Sequence, residues 1–341
     1  MRRRSVGFTV LLTGLLASFS LNAQTSPVVI RAGHFPNITH SQGVIGQANG
    51  WFDKALAPQA RVEWKIFNAG PSAIEALFAG AIDVTYIGPN PAINGYVRSQ
   101  GEALRIVAGA ASGGAALVVR ADSGIQKPED FHGRKIASPQ MGNTQDVALR
   151  GWLNFHGLKL REKGGDVQVV PIANPDQLTL FLKKEIDGAW APEPWASRLI
   201  REANGRLFFD ERDLWPNGQF VTTHLIVNTK FLREHRDLVK KWVKAHVELT
   251  EWINKNLPEA KRVLNDEIKK ETGKALPQGV LDDSFSRLLV TYDPIRSSLF
   301  TSARWAFEAG FLGRTRPDLS GIYDLSVLNE VLKEKGAKPI P

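Results

Sequence analysis

Short apolar segments alternate with segments of helical periodicity along most of the chain. Residues 28–33 form a mostly apolar run that predicts a buried first strand, and residues 62–67 alternate between polar and apolar side chains as a second strand does. Residues 41–50 and 73–79 predict helices. Strands that alternate with helices indicate an α/β fold of βαβ units with a mainly parallel sheet.

The alternation continues through the middle of the chain. Further strands are predicted at residues 83–87, 104–108, 116–120, 133–137, 167–171, 187–191 and 222–227, with helices at 146–156 and 176–184. We expect the strand at 116–120, which follows a glycine-rich segment, to cross to a second lobe. The strand at 222–227 is expected to return to the first lobe, and the pattern from residue 230 onward is mostly helical, with apolar residues at helical spacing over 236–255.

One segment of the sequence is echoed about a hundred residues later. Residues 77–84 precede Pro89-Asn90-Pro91, and residues 181–188 precede Pro192-Glu193-Pro194. Each copy is predicted to run from helix through tight turn and short strand into a Pro-x-Pro loop. Two lobes of like topology would place these loops at the carboxyl ends of their strands, where open α/β sheets bind ligands. The echo therefore predicts two facing lobes that enclose a cleft.

Residues 1–23 have the layout of a secretory signal peptide. Residues 2–4 are arginines, residues 5–21 are uncharged and mostly apolar, and Ala23 supplies a small residue for cleavage. The alternative is a retained membrane anchor, since the apolar run is only slightly shorter than the ~20 residues that a span needs. The signal-peptide interpretation predicts export to the periplasm.

Composition narrows the chemistry that the chain can carry. Hydrophobic residues make up 43% and charged residues 23%, which excludes disorder as the main architecture. Cysteine is absent, which removes thiolate nucleophiles and cysteine-type metal sites. The net charge of +8 includes the three N-terminal arginines, and the remainder is weak evidence for a nucleic-acid partner. His34 and His40 could reach a metal only with ligands from elsewhere. We therefore predict no metal, no cofactor and no nucleic acid.

Familiar enzyme signatures are missing, and what remains is a set of loops with neutral hydrogen-bond donors. Ser72 lies at a predicted helix start, and residues 142–145 open another helix. Helix N-termini expose free N–H groups and a partial positive charge, so they suit an anion, although plain capping is the alternative. Gly142 would let a ligand approach the backbone closely.

Aromatic and acidic residues at the strand ends allow two interpretations each. Phe35, Trp190 and Trp195 either form an apolar wall against a ligand or belong to the core of a lobe. Glu193, held between two prolines, either meets a ligand amine or bound water or braces its own loop.

Several of these features together resemble a known family. They are the signal peptide, the opening strand with Gly33-His34-Phe35-Pro36-Asn37, the Gly70-Pro71-Ser72 turn, the Ile82-Asp83 strand and the Pro192-Glu193-Pro194-Trp195 loop. This order and spacing, over about residues 28–335, is similar to that of the periplasmic substrate-binding proteins of ABC transporters for nitrate, sulfonate and taurine. The resemblance implies a type II periplasmic-binding-protein fold, in which two lobes are joined by two crossover strands. Lobe 1 would comprise residues 24–115 and 229–341, and lobe 2 residues 116–228.

The resemblance also implies a function and a set of ligand loops. The protein would be a monomer without catalytic activity that delivers a small anion to an ABC transporter permease and its ATPase. We favour an aliphatic sulfonate, with nitrate, bicarbonate, taurine and thiamine-pyrimidine precursors as alternatives. A different class is an enzyme on the same fold, against which the signal peptide argues, and a third is an anchored sensor. The matching site residues are Phe35, Asn37, Gly70, Ser72, Pro89, Asn90, Gly142, Asn143, Thr144, Gln145, Glu193 and Trp195, with the head group expected at 142–145 opposite Ser72.

Overall fold

A computed structural model describes residues 26–341; the predicted signal peptide lies outside these residues. Within them, the chain alternates between strands and helices, as the sequence pattern predicts. The strands are β1 Val28–His34, β2 Ala60–Ile66, β3 Val84–Ile87, β4 Leu104–Gly113, β5 Ala115–Arg120, β6 Lys135–Ser138, β7 Gln168–Pro171, β8 Gly188–Pro192, β9 Gly205–Asp210, β10 Val221–Asn228 and β11 Leu288–Val290.

The helices lie between these strands and after the last long strand. They are α1 Ser41–Ala48, α2 Trp51–Leu56, α3 Gly70–Phe78, α4 Pro89–Arg98, α5 Thr144–Phe155, α6 Asn174–Leu182, α7 Trp195–Glu202, α8 Thr229–Glu234, α9 Arg236–Lys255, α10 Leu257–Thr272, α11 Gln278–Ser286, α12 Arg296–Glu308 and α13 Ser326–Glu334. No helix within residues 26–341 is both long enough and apolar enough to cross a membrane.

The strands form two separate mixed sheets. The first has the order β11-β4-β10-β3-β1-β2, and the second has the order β7-β6-β8-β5-β9. In the first sheet β1 pairs in parallel with β2 and β3, whereas β10 runs antiparallel to β3 and β4. In the second sheet β6 pairs in parallel with β7 and β8, and β5 runs antiparallel to β8 and β9. Each sheet thus contains a block of parallel strands, as expected for α/β units, beside an antiparallel strand: β10 lies between β4 and β3, and β5 lies between β8 and β9.

Helices cover both faces of each sheet because the strands are apolar on both sides. On one face of the first sheet Ile30 packs in a cluster with Trp242 of α9, and on the other face Ile87 packs with Ile93 of α4. The second sheet buries one face against α5 and the other against α6 and α7. This arrangement leaves the strand ends of both sheets free to carry loops.

The chain crosses between the sheets twice. Strand β4 of the first sheet leads into β5 of the second through a single residue, Gly114. The return path runs from β9 through residues 211–220 to β10, which belongs to the first sheet. The chain therefore leaves the first sheet near residue 116 and returns to it near residue 222, in the order that the sequence predicts. The exact residues at which the lobes begin and end stay a prediction.

The structure differs from the sequence-based elements in several places. Pro89–Pro91 does not form a loop: it is the first turn of α4, because proline has no N–H to lose at a helix start. The sequence pattern also missed β9 and β11. Strand β9 is half-buried along most of its length, so it lacks a clean alternation, and β11 has only three residues.

Candidate functional site

A small polar cavity lies between the two sheets, at the carboxyl ends of their parallel strands. Its lining comes from residues that follow β1, β2, β3, β6 and β7, from the end of β8, and from the amino end of the antiparallel β10. The lining residues are Phe35, Asn37, Thr39, His40, Asn68, Gly88, Asn143, Thr144, Gln145, Asn174, Pro192, Thr222 and Thr223. This is the edge of an open α/β sheet at which ligands are expected.

Three helices begin at the cavity. Gly88 precedes the first residue of α4, Asn143 precedes the first residue of α5, and Asn174 is the first residue of α6. The Asn143 side chain caps α5 by accepting the Thr144 N–H at 2.9 Å. The free N–H groups of the first turn and the helix dipole give each start a partial positive charge. Three helix starts therefore direct partial positive charge toward the cavity, and no Lys or Arg of residues 26–341 is among its lining residues.

Three buried polar atoms from the lining have no hydrogen-bond partner among residues 26–341. They are Thr144 Oγ1, Asn174 Oδ1 and Thr223 Oγ1, and their side chains belong to residues that are at most 6% exposed. The neighbouring Thr222 differs, because its hydroxyl donates to the Gly113 carbonyl. Buried polar groups are almost always paired, so three orphans around one cavity indicate a place for a polar partner.

The cavity is narrow in this closed arrangement. Its volume is about 20 Å³, which is space for one to two water molecules. Part of the narrowness comes from the close approach of the lobes at Gly88, where an added Cβ would overlap the Thr144 hydroxyl. Gly88 is thus needed for contact between the starts of α4 and α5.

The lining side chains carry no net charge. Within residues 26–341 none of the residues that line this cavity is Lys, Arg, Asp or Glu. The one titratable side chain is His40, which stacks on Phe35 with the ring centroids 4.3 Å apart. Burial, reinforced by the neighbouring His34, holds the pKa of His40 well below its usual range, so the ring is neutral. Its Nδ1 accepts the Phe35 N–H at 3.4 Å.

Of the sequence-predicted site residues, the structure brings five to the cavity: Phe35, Asn37, Asn143, Thr144 and Gln145. The others lie outside its lining. Gly70 and Pro89 pack nearby in the first sheet's lobe, the Asn90 amide donates to the Ser302 carbonyl at 3.3 Å, and the Gly142 N–H donates to Asp146 at 2.9 Å. The Gly142 N–H therefore already has a hydrogen-bond partner within the protein.

Ser72 is exposed and does not line the cavity. Its hydroxyl donates to Gln140 Oε1 at 3.3 Å, which links α3 to the loop before α5. Thr222 and Thr223, at the amino end of β10, line the same cavity as Thr144.

Glu193 braces the two lobes against each other. Its carboxylate accepts from Arg287 Nη1, the Ser284 hydroxyl and the Ser197 N–H, each at 3.0 Å. Burial raises the pKa of Glu193, and the adjacent guanidinium opposes the shift. Of the two interpretations of this residue, the geometry matches the brace, because every polar contact of the carboxylate is already made within the protein.

Trp195 lies just outside the cavity and also joins the lobes. Its Nε1 donates to Asn37 Oδ1 at 3.0 Å, so the indole fixes a cavity residue while its own ring borders a second cleft. Trp190 is fully buried and donates to Glu211 at 2.7 Å, which places it in the core.

Several lining residues were absent from the sequence-based set. Asn174 follows β7 in the manner of the other strand-end residues, so the same reasoning applied to β7 would have found it. Thr222 and Thr223 gave no such signal, because only the antiparallel return of β10 brings a strand's beginning to this edge. The remaining ones are Thr39, His40, Asn68, Gly88 and Pro192. Within residues 26–341 no group of three acidic or histidine side chains is placed to hold a metal.

The relatives that are similar in sequence are named as binding proteins. The chain is 26% identical over 204 residues to the taurine-binding periplasmic protein of Escherichia coli (strain K12), and the match spans 60% of each chain. A Bacillus subtilis (strain 168) protein named for binding aliphatic sulfonates is 24% identical over 297 residues, which is 85% of each chain. The match thus spans less than two thirds of the first relative's length and most of the second's.

Solved structures share the fold. The alkanesulfonate-binding protein SsuA from Xanthomonas axonopodis pv. citri, bound to MOPS, superposes with a TM-score of 0.73 over 88% of this chain and 99% of that chain, at 18% identity. The desulfurization enzyme DSZB superposes with a TM-score of 0.64 over 90% of this chain and 99% of that chain, at 16% identity. The type II periplasmic-binding-protein fold is thereby confirmed, and it occurs in both binding proteins and an enzyme.

The family itself follows from a match over most of the sequence. The family model covers residues 23–265, which include strands β1 to β10 and every lining residue of the cavity. The chain belongs to the NMT1-like family.

Proposed function

We propose that this protein is the periplasmic solute-binding component of an ABC importer and that it binds an aliphatic sulfonate in the cavity between its lobes. The observation that carries the proposal is the set of three unpartnered buried atoms on Thr144, Asn174 and Thr223. They surround one cavity and come from both sides of the cleft. The relatives named for binding taurine and aliphatic sulfonates support the same ligand class.

The electrostatics of the cavity favour an anion of low charge density. A buried charge must be compensated, and here the compensation is three helix starts and two threonine hydroxyls rather than Lys or Arg. A sulfonate spreads one negative charge over three oxygens, and its three oxygens suit donors that converge from several directions. The Asn174 side chain takes part with its amide turned so that Nδ2 faces the ligand, since amide oxygen and nitrogen are assigned from their partners.

The proposed partners follow from this function. Closing around the anion would present both lobes as one surface to a permease that works with an ATPase. We propose no catalysis, because the lining offers a neutral, buried His40 and hydroxyls but no carboxylate beside them. The enzyme on the same fold makes product analysis part of the test.

The test is a calorimetric titration of the protein with methanesulfonate, nitrate, bicarbonate and taurine at low and high ionic strength. We expect 1:1 binding of methanesulfonate with an affinity that changes little with salt, because enclosed interactions are poorly screened. Recovery of the compound intact after incubation is expected as well. Binding of nitrate or bicarbonate but not of any sulfonate, or formation of a product, would overturn the proposal.

A further inference from the structure

A second cleft adjoins the polar cavity and differs from it in chemistry. It has a volume of about 280 Å³ and lies between the end of α10 on one side and the starts of α6 and α7 on the other. Its lining residues are Pro36, Asn68, Pro175, Pro194, Trp195, Arg198, Ile268, Thr272, Lys274, Ala275 and Leu276. Most of this wall is proline, aliphatic or aromatic surface.

The two spaces meet at three points. Asn68 lines both of them, and Pro36 of the second cleft lies in the chain between Phe35 and Asn37 of the cavity. Trp195 of the second cleft donates its Nε1–H to Asn37. A ligand whose head occupies the cavity would extend its tail toward these shared residues, because a cavity of about 20 Å³ has no room for the tail as well.

The two cationic residues that line the second cleft, Arg198 and Lys274, both lie close to the Glu202 carboxylate. Arg198 lies over the Trp195 ring at 4.8 Å and forms two hydrogen bonds of 3.1 Å with Glu202, to which Lys274 is also close at 3.8 Å. Two cations share one carboxylate, so this end of the cleft repels a further positive charge.

No carboxylate is available to receive an ammonium group. Within residues 26–341 neither lining set contains Asp or Glu. The buried carboxylates nearby do not face the cleft as free charges: Glu193 pairs with Arg287, and the Glu271 side chain is only 2% exposed and lies 3.3 Å from His34 Nε2. An ammonium group on the ligand would therefore lose its water without gaining a counter-charge.

We infer that the second cleft binds the tail of the ligand and that this tail is apolar, so that the protein takes alkyl- or arylsulfonates of several carbons in preference to taurine. The inference rests on the proposed function, since it places the sulfonate head in the polar cavity. Trp195, Ile268 and Leu276 supply the apolar surface against which the tail packs. Trp195 is held in position by its hydrogen bond to Asn37 and by the Arg198 guanidinium.

A chain-length series on the wild-type protein tests the inference. Calorimetry with methane-, propane- and hexanesulfonate is expected to show affinity rising by about fourfold for each methylene group buried. Propanesulfonate has nearly the shape of taurine with a methyl in place of the ammonium group, and we expect it to bind at least about tenfold more tightly. Equal affinity across the series, or tighter binding of taurine, would overturn the inference.

A variant that fills the second cleft separates the tail from the head. Ala275 is exposed in the loop after α10, so Ala275→Phe projects a ring into the cleft from a position that the core does not need. We expect it to weaken hexanesulfonate binding by about tenfold or more while methanesulfonate stays within about twofold. Ala337→Phe, at an exposed position in the C-terminal segment, is the matched control and should change neither.

The outcomes separate this inference from the function on which it rests. Binding of methanesulfonate without any gain from a longer tail, or equal losses for both ligands in Ala275→Phe, overturns the tail cleft alone. Failure of every sulfonate in the series to bind the folded wild-type protein overturns the proposed function, and the inference with it.

Discussion

Thr144 is a residue at which ligand binding and stability are expected to conflict. Its hydroxyl is buried and unpartnered, a state that costs about 1–3 kcal/mol, whereas a hydrogen bond to a charged ligand contributes about 1.5–3 kcal/mol. Thr144→Val keeps the shape and removes the hydroxyl. We expect methanesulfonate binding to weaken by about tenfold or more and the ligand-free melting temperature to stay the same or rise. Calorimetry and thermal unfolding measure the two effects.

The chain contains a matched control for this change. Thr229 also begins a helix directly after an asparagine, whose side chain accepts backbone N–H groups, but it lies at the opposite end of β10 from the cavity. Thr229→Val should leave ligand affinity unchanged. Unaltered affinity in a folded Thr144→Val protein would remove Thr144 from the site.

Glu211 in the second crossover is expected to make stability depend on pH. It is buried and accepts from Trp190 at 2.7 Å and Trp215 at 3.4 Å, and burial raises its pKa to about 7. The unfolded chain has a glutamate pKa of about 4.3, so the folded state holds the proton more tightly and this group loses stabilisation as pH rises between those two values. Glu211→Gln cannot lose a proton. Relative to wild type, the variant should gain roughly 2–3 kcal/mol between pH 5 and pH 8.

Denaturant unfolding of both proteins at the two pH values measures this difference. Glu234→Gln, in the short exposed helix α8, is the control and should show no such change. If the stabilities of wild type and Glu211→Gln keep a constant difference over this range, Glu211 is ionised in the folded state.

At the scale of elements, the first crossover depends on two glycines. Gly113 and Gly114 have φ of +73° and +76°, and an added Cβ on Gly113 would lie 2.5 Å from the Arg287 carbonyl oxygen. A left-handed conformation costs other residues roughly 1–2 kcal/mol, and here the overlap with backbone adds to it. Gly113→Ala should therefore lower the free energy of unfolding by more than that amount. Chemical denaturation provides the measurement.

Gly124 isolates the conformational part of this cost. Its φ is +76°, and an added Cβ would meet nothing within 4 Å. Gly124→Ala should cost only the backbone strain, so a loss of stability as large as that of Gly113→Ala would show that contact with Arg287 does not matter at the crossover.

Most strands and helices could be predicted because each has a local pattern, such as the spacing of its apolar residues or a capping residue at its start. The helix expected at residues 236–255 is α9 with the same bounds, since its apolar face repeats at helical spacing. The start of α5 lies two residues before the expected 146, because Asn143 caps it. Strand β11 could not be predicted, since three residues acquire a strand conformation only through pairing with β4.

The residues of the candidate site are likewise of two kinds: some are predicted by local sequence features, and others reach the site only through the overall topology. Phe35, Asn143 and Thr144 could be predicted because they follow strands or begin a helix, which are local features. Thr223 reaches the cavity only through the antiparallel return of β10, which is a property of the whole topology. The engagement of Glu193 by Arg287 joins positions 94 residues apart, and a single sequence carries no sign of that pairing.

At the scale of the whole molecule, two lobes are held together by contacts on both sides of the cleft. Trp195 to Asn37 and Ser72 to Gln140 join the lobes near the cavity, and Arg201 pairs with Asp283 through two hydrogen bonds between α7 and α11. The cavity between the lobes has a volume of only about 20 Å³ in this arrangement, so we expect the lobes to separate about the two crossovers when a ligand enters.

Small-angle scattering with and without methanesulfonate tests this closure. A compact chain of this length has a radius of gyration of about 20 Å, and we expect the liganded protein to approach that value and the ligand-free protein to exceed it. The physical reason is that the orphan polar atoms of Thr144, Asn174 and Thr223 prefer water when no anion is bound, which favours the open state. Thr144→Val with Thr223→Val removes two of these atoms, so the ligand-free double variant should be more compact than ligand-free wild type. A radius that is the same for all three samples would contradict both the hinge and the role given to these hydroxyls.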